Sequence, residues 1–134
     1  MQCIEWLFWQ MAGLGPLTGQ YGHFLVYAPQ PIPYAIDRYT REAQRLLGVL
    51  DKRLRGRAFI AGDEYSIADM ACYPWINPYS KAPLDLAPWP QIQRWHEAIA
   101  ARPATQRAWE LGKALRRSGE MSEEERHNLF RRTA

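Results

Sequence analysis

Long apolar runs are missing from this 134-residue sequence. Without 18 consecutive apolar residues no helix of it spans a membrane. The first apolar stretch contains Glu5 and has no basic residues ahead of it, unlike a signal peptide. Cysteine is scarce. Cys3 and Cys72 are far apart and form neither CxxC nor a metal-ligand spacing, so a reduced cytoplasmic setting is expected. His23, His96 and His127 show no HExxH pattern, and no metal site is expected. GxSxG is absent, which removes the usual elbow for a nucleophilic serine. Gly13-Leu14-Gly15 begins like a dinucleotide fingerprint, but Thr18 stands where its third glycine belongs and no strand precedes it. Sustained alternation of apolar and polar residues is also missing, so no strands are expected. Charge of one sign is not concentrated: 17 basic residues lie scattered among 14 acidic ones for a net charge of +3. That pattern lacks the one-sided footprint of a nucleic-acid binder.

What is present is a chain of ordinary polarity, 47% hydrophobic, with an unusual 13% of aromatics that includes six Trp. Its length suits about one domain with a single core. The organising stretch runs from Tyr65 to Ile76. Ser66 and Asp69 form a capping box, in which the serine oxygen takes the N–H of Asp69 and the carboxylate returns to the N–H of Ser66. Tyr65 and Met70 are spaced for a hydrophobic staple. From Ile67 onward the segment is apolar all round, which predicts a buried helix. Pro74 would remove a backbone hydrogen bond and bend it.

Helices are predicted along the rest. Ile4, Leu7, Phe8 and Met11 follow the spacing of a core-facing stripe, leaving Trp6, Trp9 and Gln10 as a second apolar surface. Gly13 to Pro16 should interrupt or kink that helix. Residues 17–28 read as a less regular helix, followed by the rigid Pro29, Pro31 and Pro33. The clearest amphipathic helix runs from Tyr34 to Arg55, with Tyr39, Ala43, Leu46, Leu47, Leu50 and Leu54 inward and Gly56 as its stop. Asp37–Arg41 and Arg38–Glu42 are spaced for ion pairs on its wet side. Residues 59–64 are a loop, as are 81–90. Ile92, Trp95, His96 and Ile99 mark the next helix. Pro103 opens another, with Ala104, Ala108, Leu111 and Leu115 inward. Ser122 to Glu125 repeat the capping-box pattern, and Arg131 and Arg132 complement the far end of a last, mobile helix. The expected architecture is an all-α helical bundle.

Several motifs occur in one order: Trp6-Leu7-Phe8-Trp9-Gln10-Met11-Ala12-Gly13-Leu14-Gly15-Pro16, Gly19-Gln20, Pro33-Tyr34-Ala35-Ile36-Asp37-Arg38-Tyr39, Tyr65-Ser66-Ile67-Ala68-Asp69 and Arg102-Pro103-Ala104. Together they resemble the helical C-terminal domain of bacterial glutathione transferases, most closely the Nu-class, disulfide-bond-reductase branch. The resemblance covers about residues 3 to 115. It implies residues 1–117 as the helical domain and 118–134 as a charged tail.

The resemblance also implies a two-part enzyme. In that family a thioredoxin-like domain binds glutathione and carries the catalytic hydroxyl, and this chain is expected to lack that domain and any catalytic residue. The helical domain supplies acceptor-pocket walls and a homodimer surface. Arg38 matches an arginine that reaches across the dimer to a glutathione carboxylate, while on residue grounds alone it pairs with Glu42 on a solvated face. Trp6, Gln10, Tyr34 and Trp75 are the implied acceptor-pocket residues, each also readable as core or interface. Glutathione would be the co-substrate, with a small electrophile or a disulfide as its partner. The alternative is a catalytically silent helical module for binding or dimerisation.

Overall fold

The computed structural model describes residues 1–76, 82–115 and 122–130. The fold is all-α, as expected. Its elements are α1 (Gln2–Trp9), α2 (Gly15–Gly22), α3 (Pro33–Leu54), α4 (Ile67–Cys72), α5 (Pro90–Ala100), α6 (Pro103–Leu115) and α7 (Glu123–Phe130). Among the described residues there is no strand, only one isolated bridge between Phe59 and Gly62 inside the loop before α4. Two compact units result, Met1–Ala101 and Arg102–Ala134.

In the first unit, α1 packs on α4, α2 on α3, and α3 on α5. Leu46, Leu47, Leu50 and Leu54 of α3 meet Ile92, Trp95 and Ile99 of α5 in a core where all seven are essentially inaccessible. Each such side chain contributes about 1.5–3 kcal/mol of hydrophobic stabilisation. Pro33 fits the first helical position, where an N–H would have no partner. At the other end Arg55 (φ −61°, ψ 122°) and Gly56 (φ +67°) make a type II turn closed by Arg57 N–H to Leu54 O at 3.1 Å. The positive φ explains why the stop is a glycine.

Residues 2–27 follow one helical path, with π turns at Gln10–Leu14 and His23–Tyr27. The glycine-proline stretch therefore does not break the chain; it is absorbed as a wider turn. This overturns the expected inward stripe of α1. In an unbroken α-helix Ile4 and Met11 would share a face with Thr18, since seven residues make nearly two turns. The extra residue of the π turn shifts that phase. Leu14 and Thr18 are buried, while Ile4 (50%), Phe8 (67%) and Met11 (69% exposed) face outward. No residue of α1 is fully buried, and Trp6 and Trp9 lie half-covered on the inner side.

The capping box at Ser66 and Asp69 is present. The helix it opens is shorter than expected, passing at Tyr73–Trp75 into a 3-10 turn that accommodates Pro74. It is buried on one side only: Ala68, Asp69 and Cys72 are covered, while Ile67 and Met70 are about half exposed. Tyr65 also meets Phe59 edge-on, ring centres 5.5 Å apart.

The second unit differs from expectation at α6. Pro103 opens it, yet Ala104, Ala108, Leu111 and Leu115 are exposed, and no α6 residue is buried. The second capping box is formed: Ser122 N–H donates to Glu125 Oε2 at 2.8 Å, and Glu125 N–H to Ser122 Oγ at 3.1 Å. Arg131 and Arg132 lie outside the described residues.

Candidate functional site

The expected site residues fall into three places. The first is a groove of about 530 Å³ beside the start of α3, lined by Leu17, Tyr34, Tyr39 and four charged residues: Arg38, Arg41, Glu42 and Arg45. Helical spacing explains the cluster, since positions 34, 38, 41, 42 and 45 recur every three or four residues. Tyr39 is fixed by stacking on Phe24 (centres 5.3 Å apart, planes at 8°).

Partner choice in this groove differs from expectation. Glu42 pairs with Arg45 through both oxygens (Nε–Oε2 2.8 Å, Nη2–Oε1 2.7 Å) instead of with Arg38. The two-pronged fork of a guanidinium favours that geometry over a single contact. Arg45's hydrogen bonds hold the Glu42 carboxyl below its ordinary range. Arg41 is taken by Asp37, as expected. Arg38 is left exposed, without a hydrogen bond or ion pair among the described residues, acting on Glu42 only through its field. The groove thus offers one unengaged guanidinium between two neutralised ones. Sequence reading had singled out Tyr34 and Arg38 but not Arg41 and Arg45, although their spacing from Arg38 put them on the same face.

The second place joins Gln10 and Trp75. Both side chains close over Gly15, where a Cβ would lie 2.7 Å from Gln10 Nε2 and 3.2 Å from Trp75 Cε2. The indole also lies over Gly19, at 3.7 Å from the same kind of point. Trp75 also helps to line a cavity of about 240 Å³ with Gly19, Tyr21, Val26, Tyr27 and Leu84. The third place is Trp6. Its ring meets Trp9 edge-on (4.9 Å) and carries the Arg53 guanidinium 5.3 Å above its centre. Arg53 is itself anchored, with Nε donating to Ile60 O at 2.7 Å and Nη2 to Gln2 Oε1 at 2.6 Å. Trp6 is thus engaged in a structural cation–π contact.

Asp69, read as a cap, does more than close a box. Its Oδ2 accepts from Ser66 N–H and Oγ–H, both at 2.9 Å, and its Oδ1 from Ile60 N–H at 2.9 Å and Trp95 Nε1–H at 2.8 Å. Asp51 was missed altogether. Buried on α3, its Oδ1 accepts from the N–H groups of Gln91 (2.9 Å) and Ile92 (3.4 Å), capping α5 from 40 residues away. Its position among Leu47, Leu50 and Leu54, a charge on an apolar stripe, was the available signal. Among the described residues no group of three His, Cys, Asp or Glu is placed to hold a metal ion.

Comparison with known proteins places these features in context. Residues 16–103 match the family model for the glutathione S-transferase, C-terminal domain. The chain is 53% identical over 105 residues to the disulfide-bond oxidoreductase YfcG of Escherichia coli, covering 78% of this chain and 49% of that protein. To the disulfide-bond oxidoreductase YghU of the same organism it is 43% identical over 137 residues, covering 95% and 46%. Among solved structures, a glutathione transferase of Burkholderia graminis with two glutathione molecules bound per subunit superimposes with a TM-score of 0.74 at 39% identity, covering 87% of this chain and 50% of that one. The glutathione transferase URE2P6 of Phanerochaete chrysosporium, in complex with oxidized glutathione, gives 0.79 at 33% identity, covering 86% and 54%. The chain spans about half the length of the relatives it matches.

Proposed function

This chain belongs to the glutathione S-transferase family, within its C-terminal helical domain, and from that premise we propose that it serves glutathione chemistry: conjugation to an electrophile, or glutathione-dependent reduction of a disulfide. In this reading a thioredoxin-like domain binds glutathione and activates its thiol, and no residue of this chain takes that role. Residues 1–117 act as the helical domain and 118–134 as an appended tail, in a cytoplasmic homodimer. Arg38 of one protomer binds a glutathione carboxylate held by its partner. A guanidinium suits that task because it stays charged and offers two parallel N–H groups. Gln10 and Trp75 form an acceptor wall to which Trp6, one helical turn before Gln10, contributes, and Tyr34 borders the Arg38 groove.

The observation that carries this reading is the unengaged Arg38 among groove arginines that are otherwise neutralised by their own acids. The test is to join the chain to a thioredoxin-like domain of the family and follow glutathione-dependent reduction of 2-hydroxyethyl disulfide. Arg38→Ala should raise the KM for glutathione about tenfold or more, the scale of a hydrogen bond to a charged group. The unjoined chain should show no turnover. Turnover without the added domain, or an unchanged KM in the variant, would defeat the proposal. A second reading, a catalytically silent binding or dimerisation module, draws on one observation: the outward stripe of Ile4, Phe8 and Met11.

A further inference from the structure

A second cavity, of about 370 Å³, is lined by residues of α2, of α3 and of the segment 83–89 that leads into α5. None of Trp6, Gln10, Tyr34, Arg38 and Trp75 lines it. Its size falls within the usual range of small-molecule sites, about 300–1,000 Å³. Ala43, Leu47 and Leu84, all buried, give it an apolar lining, and the half-buried Trp89 adds an aromatic one. That indole is held in place. Its six-membered ring lies against Gly48 of α3, where a Cβ would be 3.3 Å away, and Trp89 N–H donates to Leu86 O at 2.9 Å. The polar lining has a definite bias. Thr40 Oγ–H donates to Ile36 O at 2.7 Å, and Tyr21 Oη–H to Pro83 O at 3.2 Å. A hydroxyl has one proton, so both oxygens can now only accept. Asp85 is the one charged residue among the described residues of the lining. Its Oδ1 accepts Ala87 N–H at 2.9 Å, and among the described residues it has no ion pair. The Gln44 amide can accept or donate, and the Trp89 indole N–H only donates. Three side chains that only accept thus stand against one that only donates, and the single charge is negative.

We infer that this cavity binds a small aromatic amine in its protonated form, with the ring against Leu47, Leu84 and Trp89 and the ammonium donating to Asp85. An ammonium carries three donors and no acceptor, which complements a lining of this kind. A carboxylate in the same place would meet Asp85 as a like charge and find both hydroxyl protons already given away. The site is separate from the arginine groove of α3, which has the opposite preference, and it does not depend on the glutathione reading.

The test uses the chain itself, labelled with nitrogen-15 and titrated with phenethylamine and, separately, with hydrocinnamate, an anion of similar size. The Trp89 indole signal is assigned by its loss in Trp89→Phe. Phenethylamine should shift that signal saturably, while hydrocinnamate should leave it in place. Asp85→Asn keeps an oxygen for Ala87 N–H but loses the charge. It should weaken the amine about fivefold, the upper end for a pair whose carboxylate is exposed, with the other indole signals reporting an intact fold. Arg38→Ala should leave amine binding unchanged. No saturable shift with phenethylamine, an equal shift with hydrocinnamate, or an undiminished affinity in Asp85→Asn would overturn the inference. So would loss of amine binding in Arg38→Ala, whereas failure of the glutathione test alone would leave it standing.

Discussion

The Asp69 carboxylate accepts the indole N–H of Trp95 at 2.8 Å, with both side chains fully buried and 26 positions apart in sequence. The same carboxylate receives three further hydrogen bonds, so a buried charge is matched by four donors. One group thereby ties α4, the loop at Ile60 and α5 together.

Asp69→Asn should therefore destabilise far more than an ordinary cap. Whichever way the amide is turned, its NH2 faces two donors that previously had an acceptor. The expected loss is about 3 kcal/mol, for two buried donors left without partners. Ser66→Ala should cost about 1 kcal/mol, the usual scale of a lost N-cap. Urea unfolding measures both. Equal midpoints for the two variants would mean that Asp69 acts only as a local cap.

How much of this was readable beforehand divides by sequence distance. Ser66 and Asp69 were legible because a capping box is a local pattern with a fixed spacing. Trp95 and Ile60 as partners of Asp69 were not, since nothing in the sequence says which buried donor finds which acceptor. Tyr34 and Arg38 in one groove followed from helical spacing, but the exchange of Glu42 from Arg38 to Arg45 depended on rotamers. The outward turn of Ile4, Phe8 and Met11 was missed because a π turn leaves no periodic trace of its own. The inward reading of Leu111 and Leu115 failed because apolar spacing states what a helix can bury, not what covers it.

Asp51 and Arg94 cap each other's helices. Asp51 of α3 takes N–H groups of α5, while Arg94 of α5 donates to Arg57 O at 2.6 Å, with longer contacts to Ala58 O (3.3 Å) and Leu54 O (3.4 Å) at the end of α3. Asp51→Ala should cost about 2 kcal/mol, as the part-buried amide of Gln91 and the buried one of Ile92 lose their acceptor. Arg94→Met should cost less, being exposed. Both changes should speed amide exchange at Gln91 and Ile92, Asp51→Ala directly and Arg94→Met by loosening the α3–α5 junction. If only Asp51→Ala does so, the two caps are independent.

His96 is half-buried and stacks on Tyr73, ring centres 4.7 Å apart. Burial lowers its pKa below the usual 6.5, against opposing pulls from a backbone hydrogen bond with Ile76 and the charge of Glu97. A lowered pKa means that the unfolded chain binds the proton more readily than the folded one. Stability should hold above pH 6.5 and fall as pH drops below it. Melting temperatures at pH 7.5 and 5.0 should differ more for the parent than for His96→Gln. The same difference in both proteins would assign the pH effect to other groups.

Cys72 is inaccessible, and burial, with a smaller push from the Asp69 charge, raises its thiol to about 12. A thiol reagent should modify Cys3, which is half-exposed, and reach Cys72 only in denaturant. Because the folded state keeps the proton that the unfolded thiol releases near pH 9, the stabilising effect is complete below that value and is lost as pH rises toward 12. Cys72→Ala should flatten that alkaline decline relative to the parent. Rapid labelling of two thiols in the native protein would contradict the burial argument.

Gly15→Ala should leave stability within about 1 kcal/mol, because better helix propensity offsets a small shift of its neighbours. The contact at 2.7 Å is with the mobile end of Gln10, which can swing away, whereas the indole atoms at 3.2 and 3.3 Å must yield slightly. The Trp75 emission should change without a comparable change in unfolding midpoint. An unaltered spectrum would show that the ring does not rest on this glycine.

Finally, the wide turn at Gln10–Leu14 makes the first helix tolerant of deletion at one place. Removing a single residue there, Ala12 for instance, would let the backbone rewind into regular α-helix, the residue lost matching the one that the wide turn adds. Gln10 would then lie four positions before Gly15 and still rest above it, and Trp6 would keep Trp9 and Arg53. The same deletion in a regular stretch would turn everything ahead of it by about 100° and redraw a whole surface.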